Sequence, residues 1–459
     1  MLSDLTSRAF QADAYDDHPF SLLTSEPQSD LAHIVAINLI ENGGKLARQN
    51  WQNKQLTNLL RHAHARSKFW RQRMPSRMIG HSILSYLPVQ ARHDVAAQVE
   101  QEGSLVPTND RSAVLNYTST GSTGAPVKVF VCPENGFYNA KRSLAQFFID
   151  ELSLEENRVK IVPPVSLARI EKQALIVKTD DNWVGPLQKI FKTGSNKTVI
   201  YKHGGEDALV RELLKSPVGY LVSPSRYVER LVEHSGIDLF KRLGVKLWLH
   251  TSDYRNPEVV QTLKEIGIPS LSNYSAGEIG AIAFECRKHQ GHFHVAHSNV
   301  VVECDKEATT SFNGVTVGRL LVTHLHSYAT PIIRYDVGDF GQLSSECPCG
   351  HNGPTISHIY GRGKHFLRHP NGSLLPFYLS TRAMLEAATF KECRVVQRAI
   401  DTITLELGGR ESITADEEAK LKSLVVKVTD PAFKVEIKPV KEIDWSGNPK
   451  RLFFSSSVT

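Results

Sequence analysis

A chain of 459 residues, 41% hydrophobic and 22% charged, has the make-up of an ordinary globular protein with room for two or three domains. Its formal charge of +6 at pH 7 is spread along the sequence without a Lys/Arg block. Such a mildly basic surface suits a small polyanion, and no zinc-finger spacing or aromatic-basic signature points to nucleic acid. Met1–Thr6 shows no basic and then apolar leader, and no run nears the ~20 apolar residues of a membrane span. Six cysteines in so long a chain do not suggest a disulfide framework. The expectation is a cytoplasmic protein without a membrane partner.

Residues 1–45 are polar and mixed and read as an N-terminal extension. From Leu46 to Trp70 the pattern turns helical, with Leu56, Leu59, Leu60 and Ala63 on one face. Leu87-Pro88-Val89 marks another helix start. Asn139 to Leu152 reads as a helix, and Val159–Val162 as a buried strand. Apolar runs at Val199–Tyr201, Tyr220–Val222 and Val245–Leu249 then alternate with helical patterns at Asp207–Leu214, Tyr227–Val232 and Pro257–Ile266. That alternation predicts an α/β domain with largely parallel sheets flanked by helices. Past Lys364, strand-like segments Arg394–Gln397, Thr402–Leu407 and Lys434–Ile437 surround a helix over Asp416–Val426, a small α+β unit.

The most informative stretch is Tyr117-Thr118-Ser119-Thr120-Gly121-Ser122-Thr123-Gly124-Ala125-Pro126, between two strand-like runs. Its glycines let successive N–H groups converge on one anion, and its hydroxyls add donors for phosphate oxygens. A plain Ser/Thr/Gly hairpin loop is the competing reading. A Walker loop is excluded, because no Gly-Lys-Ser/Thr follows at the required spacing.

Ser119 to Pro126 resembles the phosphate-binding signature of the acyl-adenylate-forming (AMP-binding) superfamily, Thr-Ser-Gly-Ser/Thr-Thr-Gly-x-Pro-Lys. Val127 stands where the lysine is usual, with Lys128 one place later, which is similar to the phenylacetate–coenzyme A ligase branch. Three further segments resemble the family in the right order. Asn273-Tyr274-Ser275-Ala276-Gly277-Glu278 is similar to its Tyr-Gly-x-Ser/Thr-Glu, with Gly277 replacing a hydroxyl residue. Pro331 to Asp339 is similar to Pro-Leu/Ile-Ile-Arg-Tyr-x-x-Gly-Asp, and Gly361-Arg362-Gly363-Lys364-His365 to the hinge before the lid domain.

The resemblance implies roles for these residues. Ser119, Thr120, Gly121, Ser122, Thr123 and Gly124 would hold ATP phosphates, with Thr123 also catalytic. Asn273 and Tyr274 would lie near adenine, and Glu278 would bind Mg²⁺. Asp339 would accept from both ribose hydroxyls, a bidentate task for an ionised carboxylate. Arg362 would reach ribose and phosphate, and the lid would pivot at Lys364. The family closes on Ser-Gly-Lys-x-x-Arg, whereas this chain has Ser446-Gly447-Asn448-Pro449-Lys450-Arg451. A gap-free match puts Asn448 on the catalytic lysine and a two-residue slip puts Lys450 there; Lys450 is the favoured reading. Thr251-Ser252-Asp253 falls where the family carries Gly-Glu or Ser-Glu.

A second constellation has the look of a metal site. Cys347-Pro348-Cys349-Gly350 is a tight Cys-x-Cys turn, and upstream Cys286 is followed by His292 and His294. Three thiolates and one imidazole on two short segments suit a tetrahedral structural zinc. Cys286, His294, Cys347 and Cys349 are the expected ligands, His292 the spare; reduced, partly buried cysteines are the alternative. Other histidines, among them His62, His64, His250 and His324, are read as structural.

The expected organisation is an extension over 1–45, a large adenylate-forming domain over 46–361 and a lid over 362–459. The expected activity is ATP-dependent, AMP-forming activation of a carboxylic acid, aromatic by the branch resemblance, with ATP/AMP and Mg²⁺ bound and coenzyme A the acceptor. Two alternatives stand beside it: an adenylating enzyme that uses an amine, a carrier-protein thiol or another nitrogen nucleophile, and a degenerate nucleotide-binding protein. Acid-pocket residues would come from Pro163–Glu171 and Ser223–Tyr227. A homodimer is compatible with all of these.

Overall fold

The structure, a computed structural model, describes residues 27–74, 81–106, 115–118, 127–162, 175–180, 183–201, 205–252, 255–312, 315–360, 366–377, 379, 381–445 and 454–458. The N-terminal part is helical: α1 (Pro27–Asn42), α2 (Lys45–Arg66), α3 (Lys68–Arg73) and α4 (Arg92–Glu102). The α2 residues Leu56, Leu59, Leu60 and Ala63 are fully buried, as their spacing predicts. The helix stops at Ser67, whose hydroxyl accepts from the Trp70 N–H at 3.1 Å and so starts α3 as an N-cap.

Helix α1 lies inside what the sequence suggests is a polar extension. It buries Ile34 and Ile37 against Leu144, Phe147, Tyr220 and Leu247. Two buried ion pairs accompany that packing, Asp30 with Lys141 and Glu41 with Arg142. Both basic partners belong to α5 (Pro133–Ile149). This helix begins six positions before the expected Asn139, because Pro133 occupies the first turn, where its missing N–H costs nothing.

Strands β1 (Leu115–Thr118) and β2 (Lys128–Val131) pair antiparallel, Thr118 opposite Lys128, so the Ser119–Pro126 stretch joins two paired strands. A twelve-stranded sheet carries most of the fold. Its first half holds β3 (Arg158–Val162), β4 (Leu175–Asp180), β5 (Asn196–Tyr201), β6 (Tyr220–Ser223), β7 (Leu247–His250) and β8 (Ser270–Ala276). Its second half holds β9 (Gly280–Glu285), β10 (His292–Val295), β11 (Val300–Phe312), β12 (Val315–His324), β13 (Tyr335–Ser344) and β14 (Thr355–Tyr360). The order across the sheet is β11-β12-β13-β14-β10-β9-β8-β7-β6-β3-β5-β4.

Strands β5, β3, β6, β7 and β8 are mutually parallel, and α6 (Glu206–Leu213), α7 (Ser225–Ser235), α8 (Asp238–Arg242) and α9 (Pro257–Glu265) connect or cover them. Strand β4 joins β5 antiparallel at the edge, and within this sheet every pairing from β9 onward is antiparallel. The sheet is therefore mixed, with β8 as the seam. The long β11–β12 hairpin, which no clean alternation announces, widens the antiparallel half.

The C-terminal residues build a separate four-stranded sheet, ordered β19 (Lys434–Val440), β18 (Thr402–Gly408), β17 (Glu392–Ala399), β20 (Phe454–Ser456). A small ribbon of β15 (Phe366–Arg368) and β16 (Leu374–Pro376) and helices α10 (Thr381–Ala387) and α11 (Ala415–Val428) complete it. Its apolar core, from Leu367 to Phe454, is its own. Thr414 and Glu417 cap α11 reciprocally, each satisfying the other's backbone N–H. The large mixed α/β part and the small α+β part match the expected fold class. Among the described residues no helix is long and apolar enough to cross a membrane.

Candidate active site

In open α/β sheets ligands bind beyond the carboxyl ends of the parallel strands. Here β6 ends at Ser223 and β7 at His250, while β8 runs on through Asn273 and Tyr274 into a hairpin with β9. These ends are tied sideways. Trp248 Nε1 donates to Ser223 Oγ at 3.1 Å, and His250 Nδ1 lies 2.9 Å from Ser272 Oγ. His250 is thereby accounted for as a buried structural group.

At the β8 end, the Tyr274 hydroxyl donates to Asp339 Oδ2 at 2.7 Å. Asp339 comes from β13, where the pairing with β12 and with β14 shifts register. Just before it Gly338 adopts φ +84°, and its N–H donates to Asp336 Oδ1 at 2.8 Å. A left-handed residue at an irregularity of this kind re-aims the next side chain. Four residues past Tyr274, in the β8–β9 turn, Glu278 is buried and pairs with Arg92 Nη1 at 3.1 Å. Gly280 closes the turn at φ +91°, and any Cβ there would collide with the Asn139 amide. Asn273 is half-buried opposite Phe284. Tyr274, Asp339, Glu278 and Asn273 thus belong to one rim.

Sequence reasoning passes over the residues that hold this rim. Gln90 accepts the Ile333 N–H at 3.1 Å, while its own backbone bonds to Arg334 and Asp336 fix the start of α4 on β13. Arg92 follows two positions later. Arg334 sits at φ +47°, donates to Glu303 Oε2 at 3.1 Å and to the Leu87 carbonyl. The Ile-Arg-Tyr part of the motif therefore anchors the Leu87-Pro88 segment. The available signal was a cation in the first turn after Leu87-Pro88, legible only as an ordinary helix residue.

Ser119, Thr120, Gly121, Ser122, Thr123 and Gly124, with Ala125 and Pro126, lie outside the described residues. So do Pro163–Glu171, Asp253, Arg362, Lys364, Asn448, Lys450 and Arg451. The loop's downstream flank is described. Val127 is buried with Val95 and Val129, and Lys128 is exposed with its ammonium 5.0 Å from the Phe130 ring centre.

Farther along the same strands, Cys286, His294, Cys347 and Cys349 converge, their ligand atoms all within 4.8 Å of one another. Cys349 Sγ lies 3.4 Å from His294 Nε2. Burial holds the Cys347 thiol up at about 12, with the neighbouring Cys349 and Cys286 adding to it. Burial also holds the His294 imidazole down at about 3. A neutral imidazole and three thiols facing one point fit a tetrahedral soft-metal site, where a divalent ion would reverse the thiol preference. His292, the spare histidine, is outside the cluster.

No protein-family model and no curated protein matches the chain. Solved structures do. A 2-hydroxyisobutyryl-CoA ligase, in the postadenylation state with 2-HIB-AMP, is similar at a TM-score of 0.66 and 16% identity, over 92% of this chain and 91% of that one. The chain has the acyl-adenylate-forming fold. The same ligase in an open conformation with 2-HIB-AMP and CoA is similar at 0.55 and 16% identity, over 95% of each. GH3.15 acyl acid amido synthetase, with the same fold, is similar at 0.54 and 13% identity, over 89% of this chain and 88% of that one. The adenylate-forming fold spans both the large mixed sheet and the C-terminal unit.

Proposed function

We propose that this chain is an ATP-dependent, AMP-forming ligase that activates a carboxylic acid as its acyl adenylate and passes the acyl group to coenzyme A. The observation that carries the reading is the rim itself. Asp339 and Tyr274 form a carboxylate–phenol pair with acceptor capacity for ribose hydroxyls, and a buried carboxylate, Glu278, stands in the same hairpin turn. Glu278 pairs with Arg92, and when that pair opens, its carboxylate with the nucleotide's own phosphates is an oxygen-ligand set suited to Mg²⁺. The ion would neutralise phosphate charge as pyrophosphate leaves.

The chain's own contribution is positioning and charge. Asp339 holds the ribose, Tyr274 flanks the base, and the Ser119–Gly124 loop, with Thr123, holds the phosphates. Arg362 reaches the ribose, and Lys450 on the lid meets the α-phosphate. The acid carboxylate then attacks that phosphorus in line. The lid turns at Lys364 before thioester formation. The domain limits at 46 and 361, the aromatic acid and the phenylacetate-like subtype belong to this reading. Val127 in place of the loop lysine supports the subtype.

Cys286, His294, Cys347 and Cys349 are proposed to hold a structural zinc, supported by their donor set and mutual distances. An amine acceptor is the competing reading, supported by the amido synthetase that shares the fold. Pyrophosphate–ATP exchange with a panel of aryl, aliphatic and amino acids, with and without coenzyme A, tests the proposal. Exchange with one acid and thioester formation are expected. Silence across the panel with nucleotide binding intact would overturn the enzymatic reading.

A further inference from the structure

Transfer of an acyl oxygen to the α-phosphorus forms one P–O bond and breaks another. The electron pair of the broken bond leaves on the oxygen of pyrophosphate, with no proton required. A positioned cation beside the metal stabilises that departing charge. On the described flank of the phosphate loop neither candidate is suitable: Val127 is apolar and buried, and Lys128 is exposed over Phe130. Among the described residues, Arg92 is a cation at the rim, with its guanidinium 3.1 Å from Glu278 and its side chain mostly buried.

Its place is built. Val95, one turn along α4, packs in the same core as Val127 and Val129 of the strand leaving the loop. Two residues before Arg92, Gln90 bridges to β13, the strand that carries Asp339. Helix α4 therefore links the loop flank to the ribose carboxylate, and Arg92 projects from its first turn onto the glutamate of the β8–β9 turn. A guanidinium on a short tether can exchange one oxygen acceptor for another, since carboxylate and phosphate match its donor fork equally well.

We infer that Arg92 is the pyrophosphate-side cation of this site, held on Glu278 until the metal nucleotide arrives and then donating to the β- and γ-phosphates. The inference rests on the adenylation reading. It makes Arg92 a residue that touches substrate and also a competitor of the divalent ion for Glu278.

The test is equilibrium binding of ATP, pyrophosphate and AMP to the full-length protein across a Mg²⁺ titration, with R92Q and R92K. For R92Q, ATP and pyrophosphate affinity should fall about tenfold at saturating Mg²⁺ while AMP affinity holds. The half-saturating Mg²⁺ concentration should fall several-fold, because the competitor is gone. R92K should recover most of the ATP affinity. Glu278→Gln, which removes the carboxylate that pairs with Arg92, should tighten ATP binding in the absence of metal. Equal weakening of ATP and AMP in R92Q, or an unchanged profile in a folded variant, overturns the role of Arg92. Failure of the unmodified protein to bind ATP or AMP at all overturns the adenylation reading instead.

Discussion

Strands β9 and β13 each carry chemistry at both ends, and the two ends differ in kind. Glu278 precedes β9 and Cys286 follows it; Asp339 lies within β13 and Cys347 just past its end. At ~3.3 Å per residue the strand portions between the two groups, Gly280–Glu285 and Asp339–Ser344, each span at most about 17 Å. One end gathers three thiols and an imidazole within 4.8 Å, a closed set with no donor left to offer a substrate. The other end has carboxylates held by a phenol and a guanidinium at hydrogen-bond distance. Such contacts can be traded for a ligand's; a tetrahedral thiolate site cannot be traded without unfolding its loops. With the proposed zinc bound, the closed end would be the fixed support from which the exchangeable end is held in register.

Breaking the closed end should give the largest effect. The paired substitution Cys347→Ser, Cys349→Ser, or removal of metal by a chelator, is expected to cost several kcal/mol of stability. Metal analysis should find about one zinc per chain before and none after. Nucleotide affinity should fall as well, because β9 and β13 lose their shared anchor. Glu285, beside Cys286, adds a second tether: it pairs with Arg255 and accepts the Ser272 N–H at 2.8 Å, one residue before Asn273. Unaltered melting and unaltered nucleotide binding after metal removal would separate the two ends and sink the support argument.

Asp339→Ala attacks only the open end. Loss of charge-assisted hydrogen bonds to ribose should cost about 1.5–3 kcal/mol, roughly 10- to 150-fold in nucleotide affinity. Metal content and melting should hardly move. A matching loss of zinc would show the two ends to be one cooperative unit.

How much of this was legible before folding follows from what each signal depends on. Asp339, Tyr274 and Glu278 stand in short fixed motifs, and the structure brings the β8–β9 hairpin, with Tyr274 and Glu278, beside the Asp339 segment of β13. The four residues of the proposed zinc site are equally legible, since Cys-x-Cys and Cys…His spacing reflects the geometry of two short loops. Arg92 and Gln90 were not legible: their roles come from contacts with residues about 190 and 240 positions away, which no local pattern encodes. Helix α1 was missed for a related reason, because its polar residues Asp30 and Glu41 are satisfied by Lys141 and Arg142 and so look like solvated ones in sequence. The mixed sheet was foreseen in its parallel half, where helices alternate with strands.

Histidines sharpen the comparison through pH. Behind the Glu278 turn, burial holds His324 down at about 3 and His326 at about 4, so both are neutral in the native state. The unfolded chain protonates them near pH 6.5. Below that value the unfolded state binds more protons, so stability falls as pH drops from about 6.5 toward 4, by up to ~1.4 kcal/mol per unit for each imidazole. Urea unfolding between pH 7 and 5 should show a steeper acid slope for the unmodified protein than for His326→Gln. Parallel slopes would assign the acid sensitivity elsewhere. His326 stacks on Tyr138 with centroids 3.7 Å apart, so the variant should also lose some stability that does not depend on pH.

Tyr274→Phe should give the smallest effect and the finest discrimination. The phenol donates to Asp339 at the rim, and a hydrogen bond to a charged group contributes about 1.5–3 kcal/mol, only part of which is lost where solvent or ligand replaces the donor. If that bond only orients Asp339 before nucleotide arrives, its loss leaves ATP affinity within a few-fold of normal. The carboxylate is then oriented by the ribose hydroxyls themselves. If Tyr274 keeps the bond while Asp339 also accepts from ribose, the three groups act together, and Tyr274→Phe combined with Asp339→Asn should lose less than the sum of the two singles. A double-mutant cycle on ATP affinity separates these cases: additivity means Tyr274 is a placeholder that yields to ligand, and a coupling near 1 kcal/mol or more means it stays as part of the ribose contact.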